Sequence, residues 1–127
     1  MIALALQVVA AFNLVCTGQH REGPMTMATP LGSRDGTPFS ITYRVDLHRG
    51  RYCSGECRST EALAEVTQGE IVFRFDRAAR GDPSGNITRV NRETGLYTST
   101  TILGELIFSD MGECQRAPFT GFPQPRF

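Results

Sequence analysis

The stretch Phe39-Ser40-Ile41-Thr42-Tyr43-Arg44-Val45-Asp46-Leu47 decides the fold. Apolar and polar residues alternate along its whole length, the period of a β-strand with one face packed inward and the other in water. Such alternation belongs to antiparallel sheets, because parallel sheets are covered on both faces. Working outward, Phe12, Leu14 and Cys16 repeat the period, and so do Ile71, Phe73 and Phe75, with Arg74 expected to point outward. Residues 86–92, 96–103 and 105–109 are further strand candidates, rich in β-branched side chains. The buried face of 96–103 stays open, since Tyr97 and Leu103 compete with Leu96 and Ile102.

The connections are those of hairpins. Glu93-Thr94-Gly95 and Asp110-Met111-Gly112 are short loops ending in glycine, and His48-Arg49-Gly50 has the same form. Thr67-Gln68-Gly69-Glu70 separates 62–66 from 71–75. Residues 59–66 have helix-forming composition but are too few for a stable helix, so a short strand or a single turn is expected. Residues 18–38, with several prolines and glycines, read as one long loop, 78–85 as a second, and 117–127 as an extended tail. The expectation is a single all-β domain over 12–127, an antiparallel meander rolled into a small barrel or sandwich of roughly seven to eight strands. A barrel of that size has room for at most one small ligand.

Residues 1–11 are apolar except for Gln7. At 1.5 Å per residue they are too short to cross a ~30 Å hydrocarbon core as a helix. They match the apolar part of a secretory signal, with cleavage expected after Ala10 or Ala11, although no Lys or Arg precedes the run. The alternative is a buried N-terminal strand. Four cysteines in a short exported chain favour disulfides and a periplasmic or secreted location. Cys53 and Cys57 enclose only Ser54-Gly55-Glu56, which suits a local bridge and leaves Cys16 for Cys114, joining the first and last recognisable strands. A four-thiolate zinc site is the rival, but one Cys-x3-Cys pair and two isolated thiols do not have zinc-knuckle spacing.

The composition holds thirteen basic and thirteen acidic residues, so there is no global basic field to gather nucleic acid. No tryptophan is present to anchor a sugar or quaternary ammonium ring. His20 and His48 fall in a loop and a turn, without a visible orienting partner for acid–base work. The carboxylates of 76–82 lack the alternating ligands of a calcium loop, and no phosphate-loop, zinc-protease or nucleophile-elbow motif occurs. Arg80-Gly81-Asp82 and Asn86-Ile87-Thr88 match adhesion and glycosylation tripeptides that arise by chance. Arg44, Arg49, Arg51 and Arg58 gather near the second hairpin, and Arg89 and Arg92 lie on a later strand. An ordinary wet face with Arg opposite acids accounts for them better than an acidic partner does. No catalytic residue, metal site or cofactor is therefore expected.

The segments Phe12–Gly18, Tyr52–Cys57, Asn91–Tyr97 and Gly112–Cys114 give the chain the look of a group of small exported bacterial β-rich proteins of unknown function. That resemblance implies no activity. A looser similarity is to periplasmic C-type lysozyme inhibitors, whose Ser-Gly-x-x-Tyr loop Thr94-Gly95-Leu96-Tyr97 resembles, with Thr for Ser and Tyr one residue early. The expected function is non-enzymatic, a domain that binds a protein or envelope component through its loops. A small-ligand barrel and an inhibitor of the lysozyme-inhibitor type are the alternatives, with an unseen hydrolase site the least favoured.

Overall fold

The computed structural model describes residues 10–24, 36–77 and 84–124. Every element among them is a strand: β1 (Ala11–Pro24), β2 (Thr37–Asp46), β3 (Arg51–Ser54), β4 (Glu61–Ala62), β5 (Glu65–Val66), β6 (Glu70–Arg77), β7 (Gly85–Asn91), β8 (Leu96–Leu103) and β9 (Leu106–Ala117). They form one antiparallel sheet in the order β4-β3-β2-β1-β9-β8-β7-β6-β5. This is the cyclic order of a meander, with the break between β4 and β5 instead of between the terminal strands. The sheet curls into a half-barrel. Only Leu63 and Ala64 separate β4 from β5, so one short segment pairs with β3 through its first half and with β6 through its second. The amide of Leu63 donates to Gly50 O, and that of Ala64 to Val72 O. The count of nine, against an expected seven or eight, arises because this segment is split in two.

The turns expected from sequence pack the lower end of the half-barrel. Gly50 (φ 66°) closes the β2–β3 turn, and Gly95 (φ 77°) closes the β7–β8 turn, where its amide donates to Asn91 O. The left-handed backbone at these positions is the reason both are glycine. Inside that end, Phe12, Leu14, Tyr43, Val45, Tyr52, Ile71, Phe73 and Val90 form the core. The Tyr43 and Phe73 rings stack at 4.1 Å and Tyr52 meets Phe73 edge-on at 5.1 Å, joining the two arms of the sheet across the interior. Burying side chains such as Val45 and Phe73 contributes roughly 1.5–3 kcal/mol each.

Three expectations are corrected. The loop placed at 18–38 is strand as far as Pro24 and again from Thr37, with residues 25–35 outside the described residues. Asp110-Met111-Gly112 is not a turn, because β9 runs through it paired with β1 from Asn13↔Ala117 to Pro24↔Leu106. Gly112 faces Gly18 instead, and the two backbones approach so closely that a Cβ on Gly112 would lie 1.9 Å from Thr17 O. The tail begins after Ala117, within one residue of its expected start, and is held by Asn13, whose Nδ2 donates to Thr120 Oγ1 while its Oδ1 accepts from the Thr120 amide. Finally, a β-bulge between Val72 and Arg74 breaks the alternation of β6. One extra residue reverses the facing beyond it, so Phe75 is exposed and Arg74 turns toward the interior.

Residues 1–9 of the expected signal segment 1–11 lie outside the described residues, as does Arg80-Gly81-Asp82. Ala11 begins β1, and Ala10 O accepts a hydrogen bond from the Leu47 amide. Cys16 is bonded to Cys114 and Cys53 to Cys57. Cys16 and Cys114 are directly paired residues of β1 and β9. No helix among the described residues is long and apolar enough to cross a membrane.

Candidate functional site

Above the apolar floor the inward-facing residues change character. At the level of Gly18 and Gly112 stand Tyr97 and Val90, the next residues inward on β8 and β7. One level higher the inward row reads His20, Asp110, Ser99, Thr88 and Arg74, taken from β1, β9, β8, β7 and β6 in register. Asp110, Ser99, Thr88 and Arg74 of this row and the aromatic floor surround a cavity of about 230 Å³. Its walls include Ile41, Tyr43, Tyr97, Thr88, Ser99 and Asp110, with Glu61 and Arg74 on the side where the sheet is open.

The hydroxyls are connected. Tyr43 and Tyr97 share a buried hydrogen bond of 2.6 Å. Thr88 Oγ1 donates to Asn86 Oδ1 at 3.0 Å and meets Ser99 Oγ at 2.7 Å, while Asn86 Nδ2 donates to Thr101 Oγ1 at 2.6 Å. With Thr88 donating to Asn86, the proton between Thr88 and Ser99 belongs to Ser99. Burial raises both tyrosine pKa values, and the proximity of Tyr97 raises that of Tyr43 further. Both phenols are therefore neutral over the physiological range.

Each charged group lining the cavity already has a partner. Asp110 Oδ1 lies 2.5 Å from His20 Nδ1, and His20 Nε2 lies 3.3 Å from Glu22 Oε2. The hydrogen bond to Asp110 is the main cause that raises the His20 pKa. A carboxylate at each ring nitrogen favours the doubly donating imidazolium, the form in which no nitrogen is left to accept a substrate proton. Glu61 accepts from the Tyr52 hydroxyl at 2.8 Å, and burial, followed by this bond, raises the Tyr52 pKa. Arg74 pairs with Asp76 at 2.7 Å, and the side-chain hydrogen bond to Asp76 raises its pKa.

The groups singled out in the sequence stand apart from the cavity or are engaged in local contacts. His48 stands exposed in the β2–β3 turn. Of the arginine group, Arg44 donates to Gly121 O of the tail, Arg49 pairs with Asp46, Arg51 donates to Thr60, and Arg58 pairs with Glu56. Each is thus engaged in a contact within its own part of the fold. Cys53 and Cys57 shape a loop beside the open side of the cavity, where a wider depression of about 460 Å³ shares Ser54, Glu61 and Arg74 with it. Tyr97 is 2% exposed, so its ring is not presented to a partner enzyme. Among the described residues no group of three or more His, Cys, Asp or Glu is placed to hold a metal ion.

Comparison with protein-family models, curated proteins and solved structures returned no match. The chemistry of the cavity is thus the ground for a functional reading. Ser99, Thr88, Asn86 and Asp110 escape the sequence reading because each lies on an inward strand position where patterning looks for apolar residues, whereas Tyr97 is one of the two candidates the sequence offers for the inner face of 96–103. The signal that finds them is the register: polar residues of neighbouring strands at one level of the sheet.

Proposed function

We propose that this protein is an exported, non-enzymatic domain that binds one small, uncharged, hydroxyl-rich molecule in the cup of its half-barrel. The observation that carries the reading is the inward belt Asn86–Thr88–Ser99 beside the Tyr43–Tyr97 pair, set over a closed apolar floor. Hydroxyls and amides both donate and accept, and a polyhydroxy ligand does the same. Asp110, Glu61 and Arg74 are each engaged within the protein, which disfavours a charged ligand. The cavity is smaller than the ~300–1,000 Å³ sites of drug-sized ligands, a size that suits a single sugar ring. Two disulfides agree with an oxidising compartment, and the apolar run at 1–11 agrees with export to the periplasm or beyond.

Titration calorimetry of the purified protein against a panel of pentoses, hexoses and their methyl glycosides tests this reading. At least one member is expected to bind at a single site. Ser99→Ala should weaken it by about three- to tenfold, the loss of one hydrogen bond. No binding by any member would contradict the reading.

A further inference from the structure

The inner face does not stay polar to the top. Above the hydroxyl belt the next inward positions are Thr101 and Phe108, paired across β8 and β9, and above them Leu103 and Leu106. Strand alternation places all four on the side of Ser99 and Asp110, which line the cup. Leu103 is 57% exposed and Leu106 49%, at the tip of a hairpin turned by Gly104 (φ 59°) and Glu105. Phe108 stacks against His20 at 6.4 Å, so an aromatic ring links the belt to these leucines. Along one wall the order is therefore apolar floor, polar belt, apolar rim. A ligand that ended at the belt would leave two large leucines in water, directly above it.

We infer that the ligand is an amphiphile, with a non-ionic hydroxyl-rich headgroup in the cup and a single hydrocarbon chain leaving over Phe108, Leu106 and Leu103. This rests on the reading of the cup as a polyol site and adds to it the chain and the wall that takes it. The floor cannot take the chain, because Phe73, Ile71 and Val90 are already buried there against one another. The rim can, since its leucines stand on the same strand face as Ser99 and Asp110 and are exposed. An ionic headgroup is disfavoured by the same paired charges that disfavour an ionic sugar. Transfer of chain methylenes from water onto the rim supplies the added affinity.

The test uses methyl, hexyl and octyl β-glucosides, the last two below their micelle concentrations, titrated into the full chain by calorimetry. Affinity is expected to rise by about two- to fourfold per methylene between hexyl and octyl, the gain of burying part or all of each group. Leu103→Ser with Leu106→Ser should flatten that rise while leaving methyl glucoside binding unchanged. Ser99→Ala should weaken all three alike. If the wild-type protein binds all three equally, the apolar rim takes no chain and this inference fails, while the cup reading stands. If the chain-length rise survives Leu103→Ser with Leu106→Ser, the chain lies elsewhere and the inference fails again. If no glucoside binds while another sugar of the panel does, this inference fails and the cup reading stands; if no member of either set binds, both fall. Amide NMR spectra of each variant confirm that the fold is retained.

Discussion

His20 shows how one residue acquires a role from its neighbours. Read alone it is a polar residue in a stretch rich in glycine. In the sheet it is the inward partner of Asp110, with Glu22 at its other nitrogen, and it clips β1 to β9 at the mouth of the cup. Its pKa is raised in the folded protein above the ordinary 6.5. The folded state therefore holds the proton more tightly than the unfolded chain. The resulting stability is fully present below about pH 6.5 and is lost as pH rises through the higher folded value. Melting temperature is expected to decline across that window, and His20→Gln should flatten the decline by lowering the melting temperature at its acid end. A profile identical in the two proteins would show that the contact contributes nothing. Because the imidazole is half exposed, the effect should be modest and should shrink in high salt.

Elements were legible in proportion to how apolar their inward faces are. The inward row of β2 is Phe39, Ile41, Tyr43 and Val45, and its register with β1 keeps that pattern from Phe12↔Val45 to Gly18↔Phe39. The upper half of β1 and the middle of β9 were not legible, because Gly18, His20, Asp110 and Gly112 face inward there. Inward polar residues and glycines carry the signature of loops and turns, although here they line a cup and let two backbones touch. The bulge in β6 hid for a related reason: Ile71, Val72 and Phe73 are all buried, and a simple period of two cannot describe three in a row. The site was illegible for the same cause as these strands. Gly112 gives the element its own test. Gly112→Ala puts a Cβ against Thr17 O and should cost at least about 1–3 kcal/mol, the penalty of an overpacked contact. Chemical denaturation measures it, and an unchanged midpoint would mean that β1 and β9 stand further apart.

At the scale of the whole molecule, the sheet places its break between β4 and β5 and its longest pairing between the first and last strands, β1 and β9. The Cys16–Cys114 bond lies in that pairing and closes a sequence separation of 98, against 4 for Cys53–Cys57. In the chain-entropy model the long loop contributes about 4–5 kcal/mol and the short one about 2 kcal/mol. Cys16→Ala with Cys114→Ala should therefore lower the melting temperature far more than Cys53→Ala with Cys57→Ala, and calorimetric scans of the two variants decide it. Equal losses would mean that the paired strands hold without their latch. The latch, the paired strands and the tail anchored on Asn13 all brace the wall that carries Asp110 and the rim leucines, opposite the open side of the cup. The reading as a whole stands on that cup, and amide and methyl NMR spectra followed during titration with octyl β-glucoside test it most directly. Shifts confined to the inward residues Thr88, Tyr97, Ser99, Asp110, Leu103 and Leu106 are the predicted result. Shifts confined to outward residues such as Val15, Leu96 and Met111, with the cup unmoved, would contradict it.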